Sequence, residues 1–462
     1  MIKNFILKTD GLSLQMKNDY SKLLKIVGPI SLQYLMTSLV SASDAFMLGF
    51  LDQTSLSAVS LATQVAFVYS LFFGAFVYGF NVMGAQYWGK GDGDSVERVI
   101  AIALRYTMLV GFIFSAVTFV IPEKVMLIFT ADQQLIMAGA KYLRVVSASY
   151  FLTGISQVYF GVLKVCDRAT LSSLIGSLAV ILNIILNAVF IFGIGPVPAM
   201  GIAGAALATV LARVFEVVYT MIALFRYKCP RAELKHIFYV ENILLHGDYW
   251  KYTVPLLINM LGWGGGVTMY SVILGHMGSD AVAANSIAGI IRSMVASFCW
   301  GVAAAVGIVI GGMLGNGEFD EAKRLGGKYV RFSIYIGLGS GVIILCLSPI
   351  ILSMTSLSDT ATGYLKVMLV MASYYIVGNS LNSTIISGIF PAGGDTKFGM
   401  WCDLITLWCV VVPLGLLAAF VFRAPVLIVA FILSLDELVK IPAVYKHYMK
   451  FNWVKNITRK IP

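Results

Sequence analysis

The chain has 462 residues, 59% of them hydrophobic and only 12% charged. Soluble domains carry roughly 25% charged residues, so a water-soluble globular protein is excluded by the shortage of polar surface. The formal net charge is +10, but the Lys and Arg residues lie between apolar runs; this argues against nucleic acid and for a lipid bilayer as the partner.

Residues 1–22 mix Lys3, Lys8, Asp10, Lys17 and Asp19 with scattered apolar residues and have no uninterrupted apolar core. They are expected to form an interfacial lead-in rather than a cleavable signal peptide. Apolar runs long enough to cross a bilayer as helices then recur at 24–50, 56–84, 97–121, 140–164, 170–194, 198–224, 251–276, 281–313, 327–352, 362–389, 398–420 and 424–446.

In the first span, Asp44 in SLVSASDAFMLG is the sharpest functional candidate. No Lys or Arg stands within one helical turn of Asp44. A carboxylate removed from water holds a proton more readily, and the same oxygens can coordinate Na⁺, so Asp44 is a candidate for either ion. The competing reading is an ordinary surface acid at a helix end. Gln64 in the second span is a weaker candidate for a substrate cavity.

The loop GKGDGD is glycine-rich, but it has no Walker pattern and no preceding strand, so nothing points to ATP hydrolysis or other enzymatic activity. Asn183 and Asn187 in the fifth span are four residues apart and share a helix face. Such amides either glue helices together or line a polar cavity. In the sixth span Thr209 is a further polar candidate, and Arg213 and Glu216, three apart, can neutralise one another.

In the second half, Tyr270, Arg292 and Asn382 are candidates for a substrate cavity. Arg292 lies near mid-span and needs a partner, for which Asp403, Asp436 and Glu437 are available. Six cysteines show neither CxxC pairing nor His at ligand spacing, so neither a disulfide framework nor a structural metal site is expected.

Basic residues alternate between loops. One set holds Lys90, Arg98, Lys164, Arg168, Arg226, Lys228, Arg231, Lys323 and Arg324, while the alternate segments GFLDQTS, FGIGPVPAMG and GHMGSD hold none. Both termini are therefore expected in the cytoplasm, in a multi-pass inner-membrane protein.

An internal repeat is also present. Pro29 and Pro255 lie 226 residues apart, as do Gly49 and Gly275, Gly89 and Gly315, and Arg98 and Arg324. In this register Asp44 falls on Tyr270, so the acid belongs to one half only. Six spans restore the starting side, which makes the halves parallel copies. The expected fold is an all-α membrane protein of twelve transmembrane helices, in two six-helix bundles related by a pseudo-twofold axis along the membrane normal. The expected divisions are residues 1–225, a linker at 226–248, and residues 249–462.

Taken together, Pro29 followed by SDAFMLGFLDQTSLSAVSLA, then WGKGD, LNIILNAVFIFGIG with PAMGIAGAALAT, and PAGGDTKFG resemble the bacterial branch of the MATE (multidrug and toxic compound extrusion) transporters. The resemblance implies a monomeric exporter of small organic cations, driven by inward H⁺ or Na⁺ and needing no cofactor. It places the family's ion-coupling acid on Asp44, with Asn183, Asn187 and Thr209 as neighbours, a possible Na⁺ at Asp44, and the bending proline on Pro29. The chain departs from the pattern in three places. Asn187 stands where an acid is expected, KVCDRAT at the fourth-helix exit lacks the usual glycine, and NMLGWGGG and NSLNSTIISG lack the acids that form a second-lobe ion site in another subfamily. That second site is therefore expected to be absent. A flippase for lipid-linked or amphiphilic precursors is the alternative function.

Overall fold

A computed structural model describes the backbone of residues 2–459 apart from 240, 241 and 356; the side chains of residues 2–22, 41, 42, 45 and 234 lie outside the described set. The expected interfacial placement of the lead-in falls on those side chains.

Among the described residues, eleven helices are long and apolar enough to cross a membrane. The first six spans are Ile2–Gly49, Gln53–Gly89, Gly93–Val120, Gln133–Val165, Ala169–Phe192 and Ile202–Arg226. The seventh to ninth are Ile243–Gly275, Ser279–Asn316 and Phe319–Met354. The tenth and eleventh, Asp359–Ala392 and Thr396–Val421, contain π-helical stretches at Ser383–Ile389, Ile405–Val411 and Leu417–Val421.

The twelfth crossing corrects the expected single helix over 424–446. It consists of Val426–Leu433 and Asp436–Tyr448, parted by a turn at Ser434 and Leu435. Two carboxylates follow that turn, and acids are favoured in the first turn of a helix, where N–H groups lack partners.

Local chemistry sets the other boundaries. Asp52 and Asp92 cap the second and third helices, each accepting from the amide and hydroxyl of the serine three residues on. At the fourth-helix exit, Asp167 itself takes φ 59°. Aspartate tolerates that left-handed conformation better than most residues, which accounts for the turn without glycine.

The outer faces expose Phe112, Ile113, Leu174, Ile185, Val342 and Ile343, while Gln86, Asn183, Glu216, Asn379 and Glu437 are buried. This inverted distribution suits a hydrocarbon solvent.

The core is divided. One apolar cluster joins both halves at the end bearing the basic loops, running from Leu23 and Val27 through Phe80 and Tyr87 to Tyr249, Val306 and Trp453. Toward the opposite end there are two clusters. One belongs to the first half (Leu48, Val59, Tyr69, Leu143, Ile191) and the other to the second (Ile273, Ala284, Leu365, Val429). The lobes are thus fused at the basic end and have separate cores beyond it.

The fusion follows the repeat. A Cβ on Gly89 would overlap the carbonyl of Gly312, and a Cβ on Gly315 would overlap the carbonyl of Gln86. Gly315 is Gly89 displaced by 226, and Gly312 is Gln86 displaced by the same amount. The second and eighth helices therefore cross about the pseudo-twofold axis, and only glycine lets their backbones approach so closely.

The C-terminal segment covers this crossing. Gln86 Nε2 donates to the carbonyls of Ala392 (2.6 Å) and Lys455 (3.0 Å), Gln86 Oε1 accepts from the Ile457 amide (2.8 Å), and Arg459 pairs with Asp248. The stretch between the sixth and seventh spans is also docked. Arg105 of the third helix donates to the carbonyls of Ile237 (2.5 Å) and His236 (3.0 Å).

Candidate functional site

The first lobe draws four of the candidate residues into one hydrogen-bonded chain. Asn187 Nδ2 donates to Asp44 Oδ1 at 2.5 Å and lies 3.2 Å from Asn183 Oδ1; Asn183 Nδ2 donates to Thr209 Oγ1 at 3.4 Å; Thr209 donates in turn to the Ala205 carbonyl at 3.1 Å. The first, fifth and sixth helices meet here. The four-residue spacing of the asparagines aims both amides at one seam, and the seam holds the acid. The fourth helix adds Tyr142, whose phenol faces Thr209 and Asp44. That residue carries no signal in the sequence, being one of 22 tyrosines.

The hydrogen-bond partner of Asp44 is the amide of Asn187 rather than a base. Arg213, the nearby cation, is held by Glu216 at 2.5 Å, and Glu216 also accepts from Gln157 Nε2 at 3.2 Å. Among the described residues no Lys or Arg forms an ion pair with Asp44. Its charge is met by a fixed dipole, which can yield to a proton or a small cation. Asn187 Oδ1 has no hydrogen-bond partner, so the pocket retains a spare acceptor beside the carboxylate.

The other candidates lie elsewhere. Gln64 is exposed on the second helix, away from this chain. Pro29 lies inside the first helix and Pro255 inside the seventh, at corresponding points of the repeat.

Asn382, expected to line a cavity, is only 1% exposed and donates to the backbone (2.6 Å) and side chain (2.8 Å) oxygens of Glu437. It braces the lobe interior, because a buried carboxylate must recruit donors.

The second lobe departs further from expectation. Lys440, near the end of a span and without a signal in the sequence, pairs with Asp403 at 2.8 Å and Glu437 at 3.1 Å. Asn259 donates to the other oxygen of Asp403 at 2.8 Å, and Asn379 donates to Glu437 at 3.1 Å. Two of the three acids offered to Arg292 are thus taken by Lys440. Arg292 stands over the ring of Tyr375 at 5.1 Å and is felt electrostatically by Asp436. The segments NMLGWGGG and NSLNSTIISG of the seventh and tenth helices hold no acid, yet the eleventh and twelfth supply Asp403, Asp436 and Glu437, so the lobe has a buried charged centre after all.

Comparison with known proteins gives a consistent result. A family model described as MatE matches residues 29–189 and again 255–417, the second match beginning at the repeat offset. Similar curated proteins include the uncharacterized transporter YisQ of Bacillus subtilis, 21% identical over 90% of this chain and 91% of its own. The probable multidrug resistance protein NorM of Rhizobium meliloti is 26% identical over 84% and 83% of the two chains. Among solved structures, a point mutant of the Vibrio cholerae MATE transporter VcmN superposes with a TM-score of 0.85 at 16% identity, covering 95% of this chain and 99% of that one. A MATE in the straight conformation gives 0.84 at 18%, over 94% and 96%. The family model accounts for well over half the sequence and finds it twice, once per lobe, so the chain belongs to the MatE family of multi-pass membrane transporters.

Proposed function

We propose that this protein is a secondary active antiporter that exports organic cations in exchange for H⁺ or Na⁺ entering at Asp44. The observation that carries the reading is the Asp44–Asn187–Asn183–Thr209 chain, in which a carboxylate inside a membrane lobe is held by the Asn187 amide and not by a basic residue. An acid neutralised by a fixed base would have no reason to exchange ions. The basic loops support an inner-membrane placement with both termini in the cytoplasm. In that orientation the fused end faces inward and the separate lobe cores face outward, as in an outward-facing step of alternating access. Residues 1–225 and 249–462 would rock about the glycine crossing, with 226–248 as the linker and Pro29 as the point where the first helix bends. A buried carboxylate held by an amide and not by a base suits a cationic cargo better than the anionic head of a lipid-linked precursor.

The test is efflux of a fluorescent organic cation from proteoliposomes under separately imposed H⁺ and Na⁺ gradients. Asp44→Asn is expected to abolish exchange while the protein still inserts and purifies as a single species. Exchange at the wild-type rate in that variant would remove Asp44 from the mechanism.

A further inference from the structure

We propose that Asp436 is a second exchangeable proton site, lodged in the second lobe and loaded independently of Asp44. Its role in transport rests on the ion-coupled reading above; its protonation does not.

The argument begins with charge. Asp436 is 2% exposed, and the charged groups acting on it are Glu437 and Lys440 of its own helix, Asp403 of the eleventh span and Arg292 of the eighth. The phenols of Tyr270, Tyr374 and Tyr375, from the seventh and tenth helices, face the same centre. Three carboxylates against two cations leave one negative charge without a counterpart. Lys440 is committed to Asp403 and Glu437, and among the described residues Arg292 makes no ion pair within contact distance. The surplus therefore falls on Asp436. An unmatched charge at this depth is strongly disfavoured, and one proton removes it.

Hydrogen bonding points the same way. The buried atoms of this centre without partners are Asp436 Oδ1, Asn379 Oδ1, Asn382 Oδ1 and the Tyr270 hydroxyl. Three of the four can only accept, so the centre lacks donors, not acceptors. Asn382 is almost wholly buried and its amide nitrogen is already spent on Glu437. A proton on Asp436 supplies what is missing. Among the described residues no three acidic, His or Cys groups converge as metal ligands would, which disfavours a divalent ion.

The lobes also match in design. Each holds a clamped pair: Arg213–Glu216 with the Gln157 amide in the first, Lys440–Glu437 with the Asn379 and Asn382 amides in the second. Each leaves one aspartate, Asp44 or Asp436, without an ion-pair partner among the described residues. The repeat counterpart of Asp44 is Tyr270, and Tyr270 lies beside Asp436. The twelfth crossing is broken at Ser434 and Leu435, so Asp436 enters from another helix at the place where the first lobe uses its first helix.

The step is simple proton exchange. Water on one side of the membrane protonates the Asp436 carboxylate, and the O–H gives the proton back to water after the lobes have rocked.

The test is infrared difference spectroscopy of the purified full-length protein in lipid nanodiscs, titrated with acid in Na⁺-free buffer, with Asp44→Asn as the background. A protonated-carboxyl band should persist in that background, disappear in Asp44→Asn/Asp436→Asn, and return at a changed frequency in Asp44→Asn/Asp436→Glu. In transport, Asp436→Asn should halve the protons moved per drug molecule. No carboxyl band in the Asp44→Asn protein, or one indifferent to both changes at position 436, would overturn the second site and leave Asp44 coupling standing. If the Asn variant does not accumulate, an unshifted band in the Glu variant overturns it equally. Loss of the Asp44 role would show instead as normal exchange by Asp44→Asn alone.

Discussion

Placing a side chain at the glycine crossing should wedge the lobes apart at the basic end. Gly89 and Gly315 are each packed so that a Cβ would overlap a backbone carbonyl of the opposite lobe, Gly312 and Gln86 respectively. A backbone carbonyl cannot rotate aside as a flexible side chain can, so relief must come from separating the second and eighth helices. Overpacking of this kind costs about 1–3 kcal/mol. Because the strain exists only while the helices touch, all of it bears on the equilibrium between closed and open basic ends. That corresponds to a shift of about 5- to 150-fold toward the open form. The assay is pulsed electron–electron distance measurement between spin labels at Asp94 and Asp320, which are exposed and related by the repeat. Gly315→Ala should move population from a short to a long distance, and Gly89→Ala should do the same. The double variant should gain less than the two single effects combined, since one separation relieves both overlaps. Unchanged distance distributions in both single variants would show that the crossing does not hold the basic end closed.

Lys440→Met strips two buried carboxylates of their cation, so it should destabilise the protein by about 3–5 kcal/mol, read as a lowered thermal midpoint in detergent; adding Glu437→Gln should recover part of the loss, and no recovery would refute the pairing. Asp52 is exposed and its carboxyl is held below the usual range, first by the Ser55 hydroxyl and then by the Ser55 amide. Its contribution is therefore present above the unfolded value of about 3.9 and fades as pH falls through that region. Asp52→Ala should cost about 0.5–1 kcal/mol at neutral pH, and its thermal midpoint should converge on wild type in acid. Asn187→Ala removes the donor to Asp44 and should slow ion-driven efflux without changing the protein's yield; an unaltered rate at every pH tested would deny the amide its place beside the acid.

Hydropathy and loop charge are properties of the chain taken a few residues at a time. They suffice to locate eleven spans, although several helices run about two turns past their apolar cores into the loops. The twelfth misleads, because an apolar run reads the same whether or not a turn at Ser434 and Leu435 interrupts it. The first-lobe site is legible for a similar reason. Asp44 is conspicuous amid apolar neighbours, and the spacing of Asn183 and Asn187 fixes a common helix face. Tyr142 and Gln157 are not legible, since a tyrosine or glutamine in an apolar helix gives no sign of what it meets. Lys440 is equally silent, because a lysine near the end of a span ordinarily reaches the interface, and nothing local reveals that it instead turns inward to two acids.

The sequence alone determined the membrane environment, the internal duplication and the oddness of one acid in the first span. Each follows from composition or periodicity, which survive without knowledge of neighbours. Only the tertiary structure decided which charges are paired and which are left over, that Gly89 and Gly315 bring two backbones into contact, and that the acids of the second lobe's charged centre stand on the eleventh and twelfth crossings. Those facts depend on distances between helices remote in the chain, and the cost of a buried charge is set by what stands across that distance.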